Sequence, residues 1–258
     1  MAGIPAWAEQ KTAIVTGAGS GMGIAIAERL AAEGASVAIW DVNMEGASAT
    51  AKSIESSGGR AIAQQVDISV RAQVEEASAE VRDVLGRPTI LVNNAGIAPF
   101  QPFLEIDDEA LNRVIDINFK GTFYCCQAIV PDMIEAGWGR IVNITSSSAQ
   151  TGSPVQVHYS ATKGAVVAMT RSLAADLGRK GITVNALPPS VIDTPGLRAA
   201  EKQGMLGDEQ TLARMVPMRR LGQPEDIASA VAFLTRDDAG FVTGQVLGVN
   251  GGRVMSSG

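Results

Sequence analysis

Lys11-Thr-Ala-Ile-Val-Thr16-Gly17-Ala-Gly-Ser-Gly-Met-Gly23-Ile-Ala-Ile-Ala-Glu-Arg-Leu30 sets a β-branched run, a glycine-rich turn and a helix-forming run in immediate succession. The first run reads as a short buried strand and the last as a helix. A strand that turns through glycines into a helix N-terminus is a cradle for a pyrophosphate, because unpaired N–H groups and a partial positive charge face the turn. Gly17 would permit the tight turn, Gly21 would let backbone approach the phosphates, and Gly23 would let the helix pack on the sheet. A plain glycine-rich surface turn is the alternative, and the flanking strand and helix speak against it.

The same rhythm continues outward. Strands are expected near 12–16, 36–40, 61–66, 89–93, 139–145, 182–186 and 245–249, with helices between them. Alternation of this kind predicts a doubly wound parallel seven-stranded sheet, a Rossmann fold in one domain spanning residues 1–258, with helices on both faces. Ligands then bind at the carboxyl ends of the strands. The second strand ends at Asp41, where an acidic residue accepts hydrogen bonds from an adenosine ribose and a 2′-phosphate would meet a negative charge. Arg29 is the only basic residue between Gly17 and Ala51, so no phosphate clamp is evident and NAD is expected over NADP. Asp41 also suits a helix N-cap, and the two roles are compatible. Asp67 ends the third strand; it suits either the adenine amino group or, with Ser69, the cap of the next helix.

Tyr159 and Lys163 stand four residues apart, on one face of an expected helix, with Ser146 thirteen residues upstream. A phenol, a nearby cation and a hydroxyl donor suit acid/base chemistry at an oxygen-bearing carbon. The set Thr16-Gly-x-x-x-Gly-x-Gly23, Asn93-Asn-Ala-Gly96, Asn118, Ser146 and Tyr159-x-x-x-Lys163 resembles the short-chain dehydrogenase/reductase family in order and spacing over essentially the whole 258 residues. The resemblance implies an NAD-dependent oxidoreductase that interconverts a secondary alcohol and a ketone. It makes Tyr159 the general acid/base, its phenol pKa lowered by Lys163 and by an oxidised nicotinamide. Ser146 would steady charge on the substrate oxygen. Lys163 would bind the nicotinamide ribose, and the main-chain carbonyl of Asn118, at a helix kink, would hold a water in a proton relay.

The resemblance also assigns cofactor contact to Gly17, Ser20, Gly21, Met22, Gly23, Asp41, Asp67, Ile68, Asn94, Gly96, Tyr159, Lys163, Pro189, Ile192 and Thr194. Asn93 would tie neighbouring strands. Ser147 and Ser148 read as loop residues beside the catalytic serine. One departure stands out: Ser190 lies where the family usually has glycine, adding a hydroxyl near the nicotinamide end and removing freedom at positive φ. Residues 195–217, long and punctuated by glycine, resemble a mobile substrate lid. The family likeness also implies a homotetramer, with Phe119, Phe123 and Tyr124 placed either at its interface or in the core.

Composition bounds the rest. A net charge of −6 argues against nucleic acid or an anionic membrane as partner. No apolar run reaches the roughly 20 residues of a membrane span, and residues 1–7 lack the features of a signal peptide, so the cytoplasm is expected. Cys125 and Cys126, adjacent in an apolar helix, suit neither a disulfide framework nor zinc, and no metal is expected. His158, the single histidine, is expected in a structural or substrate-rim role. Two other functions fit the same residues. One is an NADPH-dependent 3-oxoacyl-thioester reductase, against which Asp41 speaks. The other is a non-catalytic nucleotide-sensing protein, against which the retained tyrosine and lysine speak.

Overall fold

A computed structural model describes Ala8 and residues 11–255. The reading of residues 1–7 as no signal peptide lies outside the described residues. The chain alternates strand and helix: β1 (Thr12–Thr16), α1 (Gly21–Ala32), β2 (Ser36–Asp41), α2 (Met44–Ser56), β3 (Arg60–Gln65), α3 (Arg71–Val84) and β4 (Pro88–Asn93). After α4 (Asp108–Ile115) comes a π-helical turn, Asp116–Gly121, that leads directly into α5 (Thr122–Ala136). β5 (Gly139–Ile144), a short α6 (Ser148–Thr151), the long α7 (Val157–Leu177) and β6 (Ile182–Leu187) follow. The chain then forms α8 (Pro195–Lys202), α9 (Glu209–Arg214) and α10 (Pro224–Thr235).

The strands form one parallel sheet in the order β3-β2-β1-β4-β5-β6. Chain direction across the sheet reverses between β1 and β4, which opens a crevice at their carboxyl ends. Every residue of β1, β4, β5 and β6 is buried, as a sheet covered on both faces requires. The pleat then sorts the side chains. Ala13, Val15, Val37, Ile39, Ile90 and Val92 meet α1 and α10 through Ile26, Leu30, Ile227 and Val231. Their neighbours Ile14, Ala38, Leu91, Ile141 and Val184 meet α3, α5 and α7 through Val81, Ile129, Met133 and Leu177. Cys125 and Cys126 are free thiols inside this second core, and burial pushes Cys126 up to about 12.

The sheet has six strands where seven were expected. Residues 245–249 do run parallel beside β6, touching it at Ala186↔Val246 and Pro189↔Val249. Ala186 donates to Gln245 O and accepts from Leu247 N, both at 2.9 Å. The ladder stops there for two reasons. Val184 N–H goes to the Thr243 hydroxyl rather than a carbonyl, and the next rung falls on Pro188, which has no N–H. Among the described residues no helix is long and apolar enough to cross a membrane.

Candidate active site

The glycine turn sits at the head of α1. Gly17 and Gly21 have φ of +63° and +55°, and a Cβ on Gly23 would lie 2.2 Å from the Gly17 carbonyl oxygen. Ser20, the N-cap of α1, makes no side-chain cap bond, and no acidic residue occupies the first turn. The N–H groups of that turn therefore remain available to an anion. Asn94 anchors the turn from β4, donating to Thr16 O at 2.9 Å and Gly17 O at 3.0 Å. Its Oδ1, and the Thr145 hydroxyl, are buried without partners in the described structure. Asn94 and Thr145 line the same cleft, and two orphaned polar atoms there fit a polar ligand.

Asp41 closes the other side of the turn. Its Oδ2 accepts Gly19 N–H at 2.8 Å and its Oδ1 accepts Asn43 N–H at 2.9 Å. The expected capping role belongs to Asn43, whose side chain accepts Gly46 N–H at the head of α2. Asp67 likewise does not cap α3, whose N-cap is Val70; its Oδ1 holds Ser69 through both N–H and hydroxyl. Ile68 is buried. A Cβ on Gly121 would lie 2.7 Å from its side chain, which keeps the π-turn tight against the end of β3.

That π-turn carries Asn118. It is fully buried, accepts Ile97 N–H at 2.9 Å on Oδ1 and donates to Ile97 O at 2.9 Å and the Thr162 hydroxyl at 3.2 Å. Asn118 thus stands at a break in helix geometry, and it links the β4 loop to α7. Gly96 makes the crossing possible, since a Cβ there would lie 3.0 Å from Asn118 Oδ1 and 3.3 Å from Lys163 Nζ. Asn93 donates to Asn143 Oδ1 at 2.8 Å and ties β4 to β5.

Tyr159, Lys163 and Ser146 converge on a cleft of about 640 Å³, which Met22, Pro189, Ile192 and Thr194 also line. Lys163 Nζ donates to Ile144 O at 2.9 Å and lies 5.9 Å from the Tyr159 ring centroid. Burial lowers Lys163 to about 8. Burial also raises the Tyr159 phenol, and the Ser146 side chain beside it only partly opposes that. The expectation that Lys163 pulls the phenol down is therefore corrected for the protein without ligand. The same desolvation that surrounds the phenol weakens the cation's hold on its own proton.

Sequence reading missed Ser148. It is not a loop residue but the first residue of α6, and its hydroxyl and N–H both donate to Ser146 Oγ, at 2.9 and 3.2 Å. Ser146 is left with its proton to donate into the cleft. No spacing rule marks a serine for this task. His158 is buried, does not line the cleft, and has no partner on either ring nitrogen in the described structure. Burial lowers its pKa, which favours the neutral ring.

Thr194 caps α8, accepting Leu197 N–H at 3.3 Å. Val191 O and Asp193 N–H bond Gly222, and the Ile192 N–H between them has no backbone partner among the described residues. Ser190 uses its extra hydroxyl to reach Asn250 O at 3.1 Å. Residues 195–217 fold as α8 and α9 over the cleft. Leu197, Leu206 and Leu212 pack with Val191 and Leu221 in a small cluster apart from the two sheet cores. Among the described residues no group of three His, Cys, Asp or Glu side chains is arranged to hold a metal ion.

A family model described as enoyl-(acyl carrier protein) reductase matches residues 17–253. This chain belongs to the short-chain dehydrogenase/reductase family. As a member it is an oxidoreductase. Among its short-chain relatives is (2S)-[(R)-hydroxy(phenyl)methyl]succinyl-CoA dehydrogenase subunit BbsD of Thauera aromatica, 42% identical over 97% of this chain and 99% of that one. The 3-oxoacyl-[acyl-carrier-protein] reductase FabG of Thermotoga maritima is 37% identical, over 96% and 99%. A solved 3-oxoacyl-[acyl-carrier protein] reductase with bound NAD, from Brucella melitensis, superposes with a TM-score of 0.86 at 36% identity, covering 98% of this chain and 94% of that one.

Proposed function

We propose that this short-chain enzyme interconverts a secondary alcohol and a ketone with NAD(H), using Tyr159 as general acid/base. The observation that carries the reading is the meeting of Tyr159, Ser146 and Lys163 in one cleft that runs on to the glycine turn. When bound, the nicotinamide accepts or supplies the hydride. In oxidation the Tyr159 phenolate takes the hydroxyl proton, and in reduction the phenol returns it to the carbonyl oxygen. Ser146, supplied with two donors by Ser148, gives its own proton to the substrate oxygen and steadies charge there. Lys163 favours the phenolate once ligands replace its bond to Ile144 O. Asn118 contributes at the π-turn, its main-chain carbonyl being the acceptor for a relay water.

The choice of NAD rests on Asp41. Two backbone N–H groups fix its carboxylate against the glycine turn. Arg29, the one basic residue between Gly17 and Ala51, is held by Glu33 at 2.7 Å. A 2′-phosphate would meet a fixed negative charge with no cation to offset it. Gly17, Ser20, Gly21, Met22 and Gly23 would hold the pyrophosphate, Asp67 and Ile68 the adenine end, and Asn94, Gly96, Pro189, Ile192 and Thr194 the nicotinamide end.

The second reading, a 3-oxoacyl-thioester reductase, is favoured by the FabG relatives. Bound NAD in the Brucella structure shows that a reductase of that name accommodates NAD. Residues 195–217 act as a substrate lid in either case. Phe123, exposed, and Phe119, partly exposed, suit a subunit interface of a homotetramer, whereas Tyr124 packs against the second core.

The test is Tyr159→Phe. Turnover of a panel of alcohols and ketones should fall by about a thousandfold or more, with NADH binding retained. Near-normal turnover in that variant sinks the assignment.

A further inference from the structure

Among the described residues lining the cleft, only Lys163 and Arg253 carry charge, and none of them is a carboxylate. This is unusual ground for a chain of net charge −6. Lys163 lies deep and donates to Ile144 O. In the segment above the cleft, Arg198 is already matched: it binds Asp193 at 2.7 Å, Glu201 at 3.1 Å and Glu209 at 3.0 Å. Arg253 is exposed, and its guanidinium has no hydrogen bond or ion pair among the described residues.

Its backbone, by contrast, is held. Asn250, 6% exposed, is the hub of the turn that carries it. The Asn250 side chain accepts Gly252 N–H at 3.0 Å and donates to Val254 O at 3.1 Å, while its carbonyl accepts Arg253 N–H at 3.1 Å. That same carbonyl accepts the Ser190 hydroxyl, also at 3.1 Å. The serine that replaces the family's usual glycine therefore pins the Arg253 turn to the loop at the nicotinamide end. The wall also carries apolar side chains, among them Ile97, Phe100, Leu206 and Met215, beside uncharged polar ones such as Thr145, Ser153, Gln156 and Thr211.

We propose that Arg253 is a specificity-determining residue that binds an oxyanion of the substrate, so that the enzyme acts on an alcohol or ketone with an apolar body and a carboxylate or phosphate. The inference rests on the oxidoreductase reading for the position of the reacting carbon. A guanidinium presents parallel N–H donors that match either oxyanion in a two-point contact. An acidic side chain in the wall would compete for it, and among the described lining residues there is none. A neutral ligand of the same shape leaves the guanidinium to water and gains nothing from it.

The experiment compares matched ligands on the full chain and on Arg253→Gln, with Arg253→Lys as the charge-retaining control. Benzoylpropionate is set against its methyl ester for the carboxylate, and acetoacetyl-coenzyme A against acetoacetyl-N-acetylcysteamine for the phosphate. Calorimetric binding of phenylbutyrate and of phenylbutyramide, in the presence of NADH, gives a readout that needs no turnover. For one pair the anionic-over-neutral ratio of kcat/KM should exceed one and fall about tenfold or more in Arg253→Gln. Which pair responds identifies the oxyanion. Ratios that do not respond to Arg253→Gln in either pair, with phenylbutyrate binding equally unmoved, overturn the proposal. Absent turnover of every ketone with Arg253-dependent binding of phenylbutyrate would defeat the proposed alcohol–ketone reaction and leave the oxyanion site standing.

Discussion

Lys163 Nζ lies 5.9 Å from the centroid of the Tyr159 ring, one helical turn along α7, and points its proton at Ile144 O. The two groups that would share a proton relay are each shifted by burial toward the neutral form. The site without ligand is thus held at an energetic disadvantage, which binding of cofactor and substrate can relieve.

Lys163→Met should therefore stabilise the protein while abolishing turnover. Lys163, at about 8, lies below its ordinary 10.5, so the unfolded chain holds more protons than the native one between those values. This group's cost to stability is full below pH 8 and fades as pH rises toward 10.5. The shift corresponds to about 3 kcal/mol, and losing the bond to Ile144 O returns about 1 kcal/mol. The variant should unfold about 2 kcal/mol less readily at neutral pH, and its advantage should shrink as pH rises. Urea melts at several pH values measure this, and an advantage that grows with pH would contradict it.

Ser148→Ala should lower kcat about tenfold through loss of one orienting hydrogen bond to Ser146, with little change in KM. Ser148→Thr, which keeps a hydroxyl, should restore most of the rate. A merely structural serine would give a stability change without that rescue. Steady-state kinetics on both variants, alongside thermal melts, separate the two.

Arg198→Ala should loosen the lid more than it destabilises the fold. The guanidinium joins α8 to α9 through Glu209 and to the β6 loop through Asp193. Partly exposed ion pairs of this kind contribute about 1 kcal/mol or less each to global stability. The expected result is a near-wild-type melting temperature, a KM raised several-fold and faster limited proteolysis within residues 195–217. Unchanged KM and proteolysis would mean that these helices do not gate the cleft.

Six strands were legible because runs such as Thr12–Thr16 and Thr89–Asn93 are β-branched, apolar and bounded by glycine or polar turns. The seventh was lost to two local details, the Val184 N–H turned to the Thr243 hydroxyl and the missing N–H of Pro188, which only matter once β6 has a neighbour to pair with. At the site, spacing and resemblance singled out Tyr159, Lys163 and Ser146, and the fold gathers them in one cleft. The direction of the Tyr159 shift was not legible, because burial is a property of the packed cleft and not of a helix face. Ser148 was missed since its hydrogen bonds depend on the turn into α6, and Arg253 since it lies far along the chain from every residue it joins at the cleft. Asp41, expected at an adenosine ribose and as a helix cap, bonds the glycine turn through Gly19 N–H, and the cap is Asn43 two residues on.

The measurement that bears most directly on the function is fluorescence titration of the purified protein with NADH and with NADPH. Asp41, fixed by Gly19 and Asn43, should make NADH bind tighter by about tenfold or more, or about 1.4 kcal/mol. Tighter binding of NADPH would contradict the role given to Asp41 and turn the assignment toward the 3-oxoacyl-thioester reductase.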